Sequence, residues 1–215
     1  MATHAHSPAR PHVVAHVAVS LDGATTGFSP DVGRFYALAQ TWREDATLTG
    51  ADTVLAQEPA LRGAAPVPAP EGAPLLAVVD GRARVREWAA LRGAGHWSSV
   101  VALRAEATPP RPRPPVPEIV AGAERVDLGA ALAALGERHG VRAVRVDSGG
   151  ALLGALLERG LVDELSLLVH PLTAGPGERV WHGGVRPQPA GWTALAAELL
   201  DDGLVWLRYR SRSRP

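Results

Sequence analysis

The sequence predicts an α/β fold whose sheet is parallel in its middle and antiparallel at its C-terminal edge. Three observations carry this reading. Val-rich strands alternate with helical patterns from residue 12 to about 170, the order that yields parallel crossovers. Strands alone follow, ending in a hairpin around Asp201-Asp202-Gly203, a tight-turn signal. The 215 residues are 46% hydrophobic and 20% charged, which supports a sizeable core and excludes a mainly disordered chain.

His12 to Ser20 is a Val-rich run that ends at the turn Leu21-Asp22-Gly23, so it reads as a buried strand. Ser29-Pro30-Asp31 reads as a helix start, with Ser29 as cap and Pro30 at the first helical position. Val32, Phe35, Leu38, Ala39 and Trp42 follow at helical spacing. Ala46 to Thr49 is a short strand, and Gly50 to Gln57 is a loop opening a short helix expected to halt near Pro59. Residues 64–74, rich in Ala, Pro and Gly, form a loop. Leu75 to Val79 is a strand ending at Asp80-Gly81, Val85 to Leu91 is helical, and Ser98 to Leu103 is another strand. Six prolines among ten residues from Thr108 to Pro117 make an extended surface loop. Leu128 to Arg138 is a helix, Val141 to Val146 a strand, and Ala151 to Glu158 a helix closed by Gly160. Asp163 to His170 is a strand, and Trp192–Leu199 pairs with Leu204–Tyr209. Residues 1–11 are expected to be a flexible leader, and residues 12–215 a single domain.

Composition removes several function classes. Basic and acidic side chains balance at 22 each, which argues against a nucleic-acid or membrane-surface binder. No apolar run is long enough to span a bilayer, and no signal-peptide core follows Met1, so a cytoplasmic protein is expected. With no Cys there is no thiolate nucleophile and no Cys-ligated zinc. With no Lys there is no Schiff-base chemistry and no P-loop. No His spacing matches a metal motif, so no metal is expected. Asn is absent too, and Ile119 is the one isoleucine, so the losses read as a general compositional bias.

In open α/β sheets ligands bind beyond the carboxyl ends of the strands. Ser20–Gly23, Gly50–Thr53 and Asp147–Gly150 fall there. Gly50-x-x-Thr53 and Asp147-Ser-Gly-Gly150 each lie between a strand and a helix, where glycine admits a ligand and unpaired helix N–H groups suit a phosphate. An ordinary tight turn would explain either loop alone; two at one sheet end suit a dinucleotide pyrophosphate or a phosphorylated substrate. Neither fits G-x-G-x-x-G. Asp147-Ser-Gly-Gly150 mimics a trypsin-type serine motif, but it leads straight into a helix, and Val146 defeats G-x-S-x-G. Arg82 and Arg84, after a strand end, suit a ribose 2′-phosphate or simply a solvated surface. His16 lies mid-strand on the face of Val14, Ala18 and Ser20, as a core histidine or a ligand-cleft one.

Several segments together resemble one family. Val17-Ala-Val-Ser-Leu-Asp-Gly23, the stretch Asp45 to Leu61, Val78-Val-Asp80, Ser148-Gly-Gly-Ala-Leu152 and Gly160-Leu-Val-Asp-Glu-Leu165 resemble the reductase domain of the riboflavin-biosynthesis deaminase/reductases, in order across nearly the whole chain. The resemblance implies a dihydrofolate-reductase-like three-layer sandwich, a stand-alone reductase, and NADPH as cofactor. By that likeness Gly50, Ala51, Thr53 and Val54 contact the cofactor, Gly149, Gly150, Ala151 and Leu152 hold its pyrophosphate, and Ala18 and Val19 meet the nicotinamide. It also implies a homodimer and a 5-amino-6-(5-phosphoribosylamino)uracil reductase-like activity. The substrate side departs from the family pattern: His16 stands for Lys, Ser148 for Glu, Thr41 or its neighbour for Arg, and Gln57-Glu58 for an Asp-Asp or Asp-Asn pair. Ser20, Thr41, Gln57 and Ser148 are the substrate-side positions. His16, Asp31 and Glu58 are the candidate proton carriers. The expected function is NADPH-dependent reduction of a small heterocycle, against a dihydrofolate-reductase-like activity or a non-catalytic NADP(H)-binding protein of the same fold.

Overall fold

The computed structural model describes residues 10–185 and 191–212. Most of the expected leader lies outside the described residues; Pro11, within them, is buried. The Val-rich run forms β1 (His12–Ser20), every residue between Val13 and Val17 buried. α1 (Val32–Ala39) follows, then a 3-10 turn at Gln40–Trp42. β2 (Ala46–Gly50) leads into α2 (Ala51–Leu61), then β3 (Leu75–Val79), α3 (Trp88–Arg92), β4 (Ser99–Arg104) and β5 (Glu118–Val120). α4 (Leu128–His139), β6 (Ala143–Val146), α5 (Gly150–Glu158), β7 (Glu164–His170), β8 (Trp192–Leu199) and β9 (Val205–Ser211) complete the order.

Three local expectations are corrected. Asp31, not Ser29, caps α1: its carboxylate accepts the Arg34 N–H at 2.8 Å, and Pro30 lies outside the helix. α2 includes Pro59, forfeits one N–H there and ends two residues later at Leu61, where the Arg62 N–H closes on the Glu58 carbonyl. The helix expected over 85–91 starts only at Trp88, because Arg84, Arg86 and their neighbours donate backbone N–H groups to two carboxylates instead. The Pro-rich loop ends in β5, a three-residue strand that the sequence reading did not expect.

The described residues divide into two compact units, one holding Asp45–Val144 with the described residues up to His12, the other Val13–Glu44 with the described residues from Arg145 onward. In the first, β5-β4-β3-β2 run in that order, each pairing parallel to the next. Val54, Leu76, Val78, Trp88, Leu91 and Val100 form its core, each such side chain contributing about 1.5–3 kcal/mol by burial. In the second, the order is β1-β7-β9-β8: β1 and β7 are parallel, and β9 lies antiparallel to both β7 and β8. Phe35, Leu168 and Leu204 form a core cluster there. The parallel pairings and the antiparallel C-terminal hairpin are those the strand order predicted.

Candidate active site

β1 sets the second unit's site. Side chains alternate along a strand, so His16 shares a face with Ala18 and Ser20. His16 is opposite Ser166 of β7 and is 1% exposed. Its Nε2–H donates to the Phe35 carbonyl at 2.9 Å, because a carbonyl can only accept, and its Nδ1 therefore accepts from the Ser166 hydroxyl at 2.9 Å. Ser166 in turn accepts the Trp206 indole N–H at 2.8 Å. The ring stacks on Phe35 with centroids 4.2 Å apart. Burial lowers the His16 pKa to about 4, against the raising effect of the Phe35 bond. A second proton on Nδ1 would displace the Ser166 O–H from that nitrogen. Both nitrogens of His16 are engaged in hydrogen bonds inside the fold.

At the carboxyl end of β1, the Ser20 hydroxyl donates to Asp22 and accepts the Ala24 N–H at 2.9 Å. Asp22 also accepts N–H bonds from Ala174 and Gly175, at 3.1 and 3.0 Å. The Ser20 bond, followed by these two, lowers the Asp22 pKa to about 2. Asp31 is exposed, and its own N–H donates to His170 Nε2 at 2.9 Å. Ala18 is half-buried and Val19 buried. Thr41 is exposed in the 3-10 turn.

Beyond β6, Asp147 and Ser148 lead to Gly149 and Gly150, which open α5. Gly150 has φ +62° and no heavy atom within 4 Å of where a Cβ would sit, so it needs glycine for its backbone and leaves open space beside the helix start. Gly149 is tight instead: a Cβ there would lie 2.9 Å from Thr25 Cγ2. The Gly150 N–H already donates to the Trp181 carbonyl at 2.9 Å. Ala151 is exposed and Leu152 half-buried, in the turn whose N–H groups precede any intrahelical acceptor. Ser148 is 8% exposed. Just before, Arg145 is buried and its Nε donates to Glu44 at 2.7 Å, with Nη1 3.3 Å from Asp147 Oδ2. Burial works against its charge, but Asp147 and Glu44 outweigh it and raise its pKa. The Tyr36 hydroxyl reaches the same Asp147 oxygen at 3.3 Å. Partial burial and the Asp147 charge push the Tyr36 pKa up to about 12.

In the first unit, Gly50 precedes α2, and Ala51 and Val54 are buried in the core behind it. Thr53 is half-buried and Gln57 exposed. Glu58 is 7% exposed and one of its oxygens accepts the N–H groups of Arg86 and Glu87, at 2.8 and 3.2 Å. That carboxylate shapes the loop after β3. Asp80, buried, accepts the Arg84 and Val85 N–H groups at 2.8 and 3.2 Å. The Arg84 guanidinium pairs with Asp52 in the first turn of α2 at 2.6 Å. Arg82 is exposed on the same loop. Among the described residues, no group of three or more His, Asp and Glu could hold a metal ion, and no helix is long and apolar enough to cross a membrane.

The model of one protein family, the RibD C-terminal domain, matches residues 11–205. The chain belongs to that family. A curated member from Archaeoglobus fulgidus, named 2,5-diamino-6-ribosylamino-4(3H)-pyrimidinone 5′-phosphate reductase, is 34% identical over 182 residues, covering 77% of this chain and 83% of that one. The crystal structure of a pyrimidine reductase-like protein from Corynebacterium diphtheriae superimposes with a TM-score of 0.70 at 18% identity, covering 94% of this chain and 92% of that one. A more distant likeness is dihydrofolate reductase from Enterococcus faecalis, TM-score 0.53 at 11% identity, covering 93% of this chain and 96% of that one. These likenesses show the fold class, an α/β dihydrofolate-reductase-like arrangement with a mostly parallel sheet and antiparallel edge strands. Within this RibD C-terminal domain, the sequence reading singled out the Asp147–Gly150 loop but not Arg145 and Tyr36, which meet its Asp147. One signal was legible: an arginine at a buried position between Val144 and Val146 demands charged partners.

Proposed function

We propose that this chain is an NADPH-dependent reductase of a phosphorylated ribosylamino-pyrimidine. One observation carries the reading: 34% identity, across 83% of its length, to a relative named as a pyrimidinone phosphate reductase. By their resemblance to the family's pattern, Gly149, Gly150, Ala151 and Leu152 are assigned to the cofactor, and the start of α5 fits the group. Gly150 leaves open space where a side chain would stand, and the Ala151 and Leu152 N–H groups and the helix dipole favour an anion there. In the first unit, Gly50, Ala51, Thr53 and Val54 are assigned to the cofactor on the same pattern. Reduced nicotinamide supplies the hydride when bound.

Of the three candidate proton carriers, His16 and Glu58 are committed inside the fold. Asp31, exposed at the head of α1, is the carboxylate left to hold or relay a proton, directly or through water. Ala18, Val19 and Ser20 line the end of β1 toward which the acceptor is placed. For the 2′-phosphate we assign Arg82. Arg84 already pairs with Asp52 and acts through the loop's shape.

Oxidation of NADPH dependent on 2,5-diamino-6-ribosylamino-4(3H)-pyrimidinone 5′-phosphate tests the reading. NADPH should outperform NADH, and Arg82→Ala should narrow that preference by about tenfold, the worth of a charged phosphate contact. Equal use of both cofactors by the parent protein would refute the NADPH assignment. No turnover with either would favour a protein that binds NADP(H) without chemistry.

A further inference from the structure

The loop that carries Arg82 is held more tightly than an exposed turn requires. The Ala83 N–H closes on the Asp80 carbonyl at 3.0 Å, so Arg82 stands in a tight turn directly after β3. Ala83 takes a φ of +52°, a left-handed backbone that residues with a Cβ disfavour. Three sets of bonds hold it there. The buried Asp80 carboxylate accepts the Arg84 and Val85 N–H groups. The Gly81 carbonyl accepts the Thr108 hydroxyl at 3.0 Å. The Arg84 guanidinium is tied to Asp52 at 2.6 Å.

The same carboxylate meets a cation from the Pro-rich loop. Arg111 Nη2 donates to Asp80 Oδ2 at 2.5 Å and Nη1 to Glu118 Oε1 at 3.1 Å, and the guanidinium lies 5.2 Å from the Trp88 ring centroid. Arg104 Nε donates to the other Glu118 oxygen at 2.6 Å. Two guanidiniums therefore balance two carboxylates, with the Arg111 side chain 15% exposed and that of Asp80 fully buried. A well-packed apolar pair is often as stable in such a place, but the ion pair does two things that an apolar pair could not. It fixes the carboxylate that shapes the turn, and it cancels a negative charge close to Arg82 in the chain. A phosphate held by Arg82 would otherwise face an unbalanced carboxylate within a Debye length.

We propose that Arg111 is a positioning residue for recognition of the cofactor's 2′-phosphate: through Asp80 it holds the turn that presents Arg82, and it removes the charge that would oppose the phosphate. The inference rests on the reductase reading and its assignment of Arg82. The test is the ratio of the NADH to the NADPH dissociation constant, read by nicotinamide fluorescence on the full chain. Arg111→Gln keeps a donor for Asp80 but drops the charge, and should narrow the ratio by on the order of threefold to tenfold, almost wholly through NADPH. Arg111→Lys keeps the charge and should retain most of the ratio. Ala83→Gly relaxes the backbone and leaves every charge in place; it should narrow the ratio in smaller measure with no loss of resistance to urea. A folded Arg111→Gln that binds both cofactors as the parent does, or weakens both alike, overturns the proposal while Arg82→Ala still narrows the ratio. An Arg111→Lys no better than Arg111→Gln contradicts the charge balance on which the proposal stands. If Arg111→Gln does not fold, an unchanged ratio in Ala83→Gly overturns it. A parent without preference for NADPH, or an Arg82→Ala variant with the parent ratio, overturns the 2′-phosphate assignment and the proposal with it.

Discussion

Replacing His16 by Gln should flatten the acid side of the stability profile. In the native state His16 is held neutral: Nε2–H is given to the Phe35 carbonyl, and Nδ1 accepts from Ser166, which is itself held by Trp206. Burial lowers its pKa from 6.5 to about 4. The unfolded chain therefore binds this proton more readily than the folded one. The associated stability is present above pH 6.5 and is lost as the pH falls toward about 4. At about 1.4 kcal/mol per pH unit the full difference is about 3 kcal/mol, most of which is gone by about pH 4.5. Urea unfolding of parent and variant at about pH 7.5 and about pH 4.5 measures it. His16→Gln carries a fixed cost at both pH values for its altered bonds. The parent should lose about 2–3 kcal/mol more than the variant across the interval. Parallel losses in the two proteins would mean that His16 is not held neutral, and the bond directions argued above would be wrong.

Three further outcomes follow from the same structure. Glu58→Gln keeps an oxygen for the Arg86 and Glu87 N–H groups and should retain turnover within about twofold, whereas a carboxylate that carries the proton would lose about a hundredfold or more on this change; steady-state kinetics separates the two. Gly150→Ala meets open space but a φ of +62°, so it should cost about 1–2 kcal/mol by chemical denaturation. Leu199, 80% exposed on β8, belongs to a hairpin that would be covered in a homodimer; light scattering should give about twice the 22.5 kDa chain mass, and the monomer mass would contradict the dimer.

The strands were legible because their residues are so uniform. His12–Ser20 is Val-rich between a polar leader and a turn, and its bounds in the structure are the expected ones. α1 began two residues late because what fixes Asp31 is remote: its N–H bonds His170, 139 positions along the chain. β5 was hidden because three residues after a proline run carry no pattern. The two glycine loops stood out as strand-to-helix junctions. What the sequence could not tell was how the polar side chains are spent. Whether His16 works or packs depends on Ser166, and whether Glu58 works or packs depends on two backbone N–H groups of a loop nearly thirty residues away. Asp147 and Tyr36 look like surface residues until Arg145 is placed behind them.

Hydride transfer itself is the most direct measurement. The protein is incubated with NADPH deuterated at nicotinamide C4 and with 2,5-diamino-6-ribosylamino-4(3H)-pyrimidinone 5′-phosphate, and the product is read by mass spectrometry. A reductase yields a product carrying one deuterium on carbon, where it does not exchange with water, in step with cofactor oxidation. A product with no carbon-bound deuterium, or intact substrate beside tightly bound NADPH, would contradict the assignment and leave a binding protein in its place.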